Sequence, residues 1–233
     1  MKSRRRPDGA ARLRNMHDDL MRVYGPQHWW PAKTRFEVIL GAYLTQNTAW
    51  KAVERSLANL RAAGALTPEG LRAIPLARLR RLIRPSGFIN RKAPALKAFV
   101  AMLEKEFGGS LEALGATPTS ALRQRLLALP GVGPETADAI LLYALGHPVP
   151  VADEYLRRIA ERHGLLEPTS RGRTSYDSLV ELTRCAFAGD PVAGRAQLYN
   201  EFHALTVAVG KAHCGRIARC EGCPLAADLR NSF

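Results

Sequence analysis

The sequence predicts an all-α protein, and three observations predict it. Apolar residues recur at helical spacing along most of the chain, caps and stops punctuate them, and no alternating β-branched run lies between hairpin turns. The one strand candidate, Val149 to Val151, is too short and is interrupted by proline. About ten helices without an internal repeat are expected.

Taken in order, residues 1–9 read as a flexible basic arm, and Leu13, Met16, Leu20 and Val23 then mark the first helix. Thr67, Pro68 and Glu69 read as a cap with proline at the first helical position. Ser110 and Thr117 are further starts, while Gly108-Gly109 and Gly146-His147-Pro148 are stops. The runs "ALRQRLLAL" and "ETADAILLYAL" keep apolar helical spacing on either side of "LPGVG". Leu198, Phe202, Leu205 and Val209 make one face of a late helix.

At 233 residues with 46% apolar side chains, the chain can bury a full core as one large domain or two small interleaved ones. Lys and Arg number 34 against 21 Asp and Glu, which leaves +13 and favours a polyanionic partner, nucleic acid first. No run approaches about eighteen apolar residues, and "MKSRRRPDGAARLR" has charge without an apolar segment after it. Neither a membrane span nor a secretory signal is expected, so the protein reads as intracellular and cytoplasmic. Of four cysteines, Cys214, Cys220 and Cys223 cluster, which suits a metal or cluster arrangement in a reducing compartment better than a disulfide framework.

In "LPGVG" the glycines Gly131 and Gly133, on either side of Val132, can take backbone angles closed to other residues and let a phosphate approach the amides. Pro134 then opens a helix where its missing N–H costs nothing, so free amides and the positive helix end point at the same phosphate. Such a hairpin grips a DNA backbone without reading sequence. The bland alternative is an ordinary connection between two helices.

A hairpin, a helix and then Asp153 at the head of the next helix resemble the helix-hairpin-helix DNA glycosylases of the endonuclease III superfamily. The resemblance runs from residue 28 to 223 in family order: "LTQNT" (44–48), "SGFINRKA" (86–93), "LPGVGPETA" (129–137), "VADEYLRR" (151–158) and "CGRIARCEGC" (214–223). It implies two helical subdomains with a DNA-binding cleft between them. Residues 28–150 would form a six-helix barrel with the helix-hairpin-helix at about 119–145, and residues 1–27 with 151–233 the second lobe.

By the same resemblance Asp153 is the catalytic carboxylate, whereas bifunctional members carry a lysine where this chain has Glu135. A lysine amine can attack the sugar C1′ and form an imine, and a carboxylate cannot. Glu135 brings the chain nearest to the endonuclease III-like 3-methyladenine DNA glycosylases, which hydrolyse the base without a lyase step. Base loss passes through an oxocarbenium-like sugar that a buried aspartate can stabilise. Asp153 could also be a plain N-cap, and Glu135 a first-turn acid favoured by the helix dipole.

A nucleotide-extruding enzyme needs a plug and a wedge. The resemblance puts Gln46 in the vacated space and Phe88 at the wedge, with Arg84, Arg91 and Lys92 flanking it on phosphates. Trp29, Trp30 and Tyr155 are the base-pocket candidates, since aromatic faces attract a cationic alkylpurine, and Lys211 is a further one. The competing assignments are core packing for the aromatics and plain surface polarity for Gln46 and the basic residues.

Many relatives hold a [4Fe-4S] cluster on four cysteines near the C-terminus. Here five residues separate Cys214 from Cys220, two separate Cys220 from Cys223, and Leu229 stands at the fourth position. Loss of the cluster, with no cofactor needed for catalysis, is favoured over a cluster on degenerate ligands. The partner is double-stranded DNA with a damaged base, met by a monomer. The rivals are a glycosylase/lyase for oxidised pyrimidines that recruits Lys92 or Lys211, and a DNA-binding clamp without catalysis.

Overall fold

The computed structural model describes residues 8–29, 34–168 and 172–230. Among them the chain is helical, with no strand and one isolated antiparallel bridge between Cys214 and Ala218. No described helix is long and apolar enough to cross a membrane. The chain divides into two compact units, Trp30–His147 and Met1–Trp29 with Pro148–Phe233, against expected limits of 28 and 150.

The helices run α1 (Gly9–Tyr24), α2 (Arg35–Leu44), α3 (Trp50–Ala62), α4 (Pro68–Ala73), α5 (Leu76–Leu82), α6 (Ile89–Phe107) and α7 (Leu111–Gly115). They continue with α8 (Thr119–Leu127), α9 (Pro134–Ala139), α10 (Glu154–Arg162), α11 (Tyr176–Ala186), α12 (Arg195–Ala212) and α13 (Ala226–Arg230). These thirteen α-helices among the described residues exceed the ten expected. Short helices make the difference: α5 and α13, of seven and five residues, are too brief for a periodic stripe to register.

Within Trp30–His147, α2 is the central rod, buried from Phe36 to Leu44. Leu57, Leu60, Leu79, Phe99, Leu126 and Ile140 complete a core of fully or nearly buried side chains in the same unit. The caps follow local chemistry: Thr34, Thr67 and Ser110 accept from the amides of Glu37, Gly70 and Ala113. Thr117 does not cap as expected. Its hydroxyl donates to Ala113 O, and α8 starts after Pro118, whose fixed φ already suits a helix entry.

In the other unit the core joins Leu13, Met16 and Leu20 of α1 to Leu156 and Ile159 of α10 and to Phe202, Leu205 and Val209 of α12. Val23, assigned to the apolar stripe, is 59% exposed, because the last turn of α1 has run past the core. Asp8 caps α1 and Gly9 is its first residue, so the expected arm is shorter than nine residues, and residues 1–7 of it lie outside the described residues.

Candidate DNA-contacting elements and catalytic carboxylate

The hairpin between α8 and α9 is a turn built from proline and glycine. Val132 N donates to Leu129 O at 3.3 Å, with Pro130 and Gly131 at its centre and Gly131 at φ +76°. That left-handed angle at the third position requires glycine. Gly133 is different from the expectation. Its φ of −96° is open to any residue, and a Cβ there would meet nothing within 4 Å. Its value is open space beside the amides, not conformational freedom.

Two contacts fix the hairpin. Arg123 of α8 forms a two-pronged pair with Asp138 of α9, Nε to Oδ1 at 2.7 Å and Nη2 to Oδ2 at 3.0 Å. Gln46, just beyond α2, donates its amide to Gly131 O and Thr136 Oγ1, both at 2.9 Å. Glu135 is exposed in the first turn of α9, directly after the hairpin.

Phe88 caps α6 in the left-handed region at φ 47°, after Gly87 at φ 63°, and is 59% exposed. A bulky residue rarely accepts that geometry. Arg84 and Arg91 are exposed near it. Lys92 is not on the surface as expected, being only 3% exposed. Its ammonium donates to Leu44 O, Thr48 Oγ1 and Ser86 O, each at 2.8 Å, and lies 5.6 Å from the Phe88 ring centroid. The long aliphatic stem runs inward with the core while the head finds carbonyls, which removes it from the phosphate contacts. Burial pulls its pKa down to about 8.

In the other unit, Asp153 precedes α10 and divides its oxygens. Oδ1 accepts from Leu156 N at 2.9 Å, and Oδ2 lies 3.5 Å from His203 Nε2 on α12. The expected capping role is therefore real, and it leaves one oxygen for other work. Trp29 packs edge-to-face on the His203 ring, with centroids 5.4 Å apart. Glu201, two residues earlier on α12, accepts from the amides of Gln27 at 2.6 Å and His28 at 2.9 Å, and His28 stands at φ 46°. A buried carboxylate thus fixes the approach to Trp29, while Trp30 lies outside the described residues. Sequence reasoning missed Glu201 and His203. Their one signal was polar residues interrupting an otherwise apolar helix at Leu198 to Val209.

Tyr155 packs on α12, where a Cβ added to Gly210 would come within 2.2 Å of its ring, and Arg158 lies 4.8 Å from its centroid. The ring is half-buried, packed on Gly210 along one side. Lys211 is exposed on the last turn of α12.

Cys214 is buried, Cys220 exposed and Cys223 half-buried. Burial pushes the Cys223 thiol above its ordinary value, and Cys220 and Cys214 add to the rise. Arg162 donates to Cys214 Sγ at 3.0 Å and to Arg216 O at 2.9 Å. Leu229 stands at the fourth position, so the segment supplies three thiolates where a four-thiolate cluster takes four. Side-chain contacts tie the C-terminal segment to α1 and to the end of α10. Asp228 of α13 receives Arg12 Nε and Nη2 at 2.9 and 2.6 Å and meets His163 Nδ1 at 2.8 Å.

Residues 40–184 match the HhH-GPD superfamily of base excision DNA repair proteins. A Methanocaldococcus jannaschii protein with the provisional name of a DNA repair glycosylase is 40% identical over 207 residues, 88% of this chain and 90% of its own. Two chloroplastic endonuclease III homologues of Arabidopsis thaliana are 28% and 29% identical, and the chain spans about half of their length. Among solved structures, the H. pylori 3-methyladenine DNA glycosylase bound to 1,N6-ethenoadenine aligns at TM-score 0.74 and 32% identity, covering 88% of this chain and 98% of that one. A non-covalent endonuclease III–DNA complex aligns at 0.75 over 96% of both chains, and its 23% identity speaks for the fold. With the hairpin, the following helix and the aspartate in their expected order, the chain belongs to the HhH-GPD superfamily of base excision DNA repair proteins, as a DNA glycosylase.

Proposed function

We propose that the protein is a monofunctional glycosylase that hydrolyses alkylated purines of the 3-methyladenine type from double-stranded DNA, acting as a monomer and without a cofactor. The observation that carries this reading is Glu135, an exposed carboxylate in the first turn of α9 where the resemblance places the lyase lysine of bifunctional relatives. No imine forms on a carboxylate, so water is the nucleophile.

Asp153 Oδ2, the oxygen not committed to the helix cap, orients that water and opposes the positive charge that develops on the sugar as the base departs. The hairpin amides hold a phosphate, Gln46 and Phe88 occupy the stack, and Arg84 and Arg91 meet the backbone. Trp29 offers an aromatic face to a cationic base, and the exposed Lys211 is a further pocket candidate. The 3-methyladenine glycosylase of H. pylori at 32% identity supports the lesion class.

The test is base release measured side by side on DNA carrying 3-methyladenine, 7-methylguanine, hypoxanthine or thymine glycol. Release of the alkylated purines, with strands broken only after alkali, agrees with the reading. Preference for thymine glycol with spontaneous strand breakage overturns it in favour of a lyase. Lys92 is a poor candidate for that lyase, because three oxygens hold its amine.

A further inference from the structure

Lys92 is buried, and nothing in the proposed chemistry uses it. Its three acceptors come from three different segments: Leu44 O ends α2, Thr48 Oγ1 lies in the turn that carries Gln46, and Ser86 O lies in the short helical turn before Phe88. Thr48 Oγ1 also donates to Ser86 O at 2.8 Å, and Ser86 Oγ to Ser56 Oγ at 2.7 Å, so the junction is tied to α3 as well. From this junction Gln46 extends one way, to Gly131 and Thr136, and Phe88 extends the other way into solvent.

We infer that Lys92 is a positioning residue that fastens the Gln46 turn to the Phe88 turn, so that plug and wedge move into the stack as one unit. This rests on the assignment of Gln46 and Phe88 made above. The physical reason is cost. Phe88 sits at a positive φ that it leaves unless something holds the turn, and the Gln46 turn passes through Asn47, also at positive φ (51°). A flexible pair of turns would spend binding energy on its own ordering with every nucleotide extruded, whereas a cation gripping both carries that cost in the fold. An ammonium is the group that can accept no bond itself and satisfy three oxygens at once.

A double-mutant cycle on the full chain tests the idea. Extrusion is read from the fluorescence of 2-aminopurine placed beside a lesion, with binding to lesion-free DNA and thermal melting recorded in parallel. Phe88→Ala should lower the extrusion rate, and Lys92→Met should lower it by at least about tenfold while lesion-free binding holds. The double variant should lose clearly less than the product of the two single losses, because Lys92 acts in part through Phe88. Losses that multiply, or normal extrusion in folded Lys92→Met, overturn the inference. If Lys92→Met does not fold, Thr48→Val decides by the same cycle, with non-multiplying losses supporting the idea and multiplying or absent losses overturning it. Normal extrusion in Phe88→Ala would instead strike at the wedge assignment.

Discussion

His203 Nε2 lies 3.5 Å from Asp153 Oδ2, while Oδ1 of the same carboxylate caps α10 through Leu156 N at 2.9 Å. The two oxygens therefore have separable duties. One fixes the side chain to a helix end, and the other faces a ring that also packs against Trp29. The cap bond limits rotation of the carboxylate and leaves Oδ2 toward His203, which under the proposed function is the oxygen that would meet the developing charge.

Asp153→Asn separates the duties. Asparagine is as good an N-cap as aspartate, so the melting temperature should stay within a degree or so of the wild type. Base release under single-turnover conditions should fall by at least about 10²-fold, because a neutral amide no longer opposes the developing cation. Retained activity would reduce Asp153 to its cap.

The two hairpin glycines should behave differently. Gly131→Ala forces a Cβ into φ +76°, which costs about 1–2 kcal/mol and disturbs the carbonyl that Gln46 reads. Gly133→Ala meets neither strain nor contact. It should leave melting unchanged and weaken DNA binding equally for damaged and intact duplexes, because the added methyl stands where a phosphate oxygen would approach. Titration of both duplexes over a range of salt checks this, and a loss confined to damaged DNA would move the hairpin into the recognition pocket.

The Asp228 anchor predicts a pH dependence. Burial acts to raise its carboxyl, and Arg12 and His163 outweigh it, so the group titrates below its ordinary value near 3.8. Its stabilising share is complete above that value and is lost as the pH falls through the lower, native one. His163 is lowered from 6.5, chiefly by burial, with Arg12 and Arg162 opposing its protonation and Asp228 favouring it. The unfolded chain then takes up the proton first, so stability declines as the pH drops below 6.5. Asp228→Asn should cost about 3 kcal/mol at neutral pH by leaving Arg12 under-compensated. It should also flatten the dependence near the ordinary carboxylate range, as read by denaturant melts across pH.

What was legible in the sequence was local. A Pro-Gly turn, a proline at the first helical position and an aspartate before a helix need only their neighbours, and "LPGVGPETA" and "VADEY" state them outright. Lys92 was misread because the oxygens that draw it inward include one on Leu44, 48 positions away. Glu201 serves amides 174 and 173 positions away and leaves no periodic trace. The packing of Tyr155 on Gly210 was equally hidden, because the two lie 55 positions apart on different helices.

Glu135 carries the final prediction. In the wild type, base release should leave the abasic strand whole until alkali is added, and borohydride should trap no protein–DNA adduct, because a carboxylate at the head of α9 cannot become an imine. Glu135→Gln should slow release of cationic purines and leave neutral lesions almost untouched, since the carboxylate's part is attraction of a positive base and alkylated purines are already good leaving groups. Glu135→Lys is the sharper variant. It places an amine on an exposed first turn directly after the hairpin, where a positive helix end lowers the amine's proton affinity and so exposes its lone pair. The nitrogen bonds to C1′ of the abasic sugar, water leaves, and borohydride reduces the resulting imine to a stable cross-link visible on a denaturing gel. A cross-link in Glu135→Lys and none in the wild type would make that position the switch between hydrolysis and lyase chemistry. A cross-link in the wild type would mean that another lysine already acts and that the monofunctional assignment is wrong.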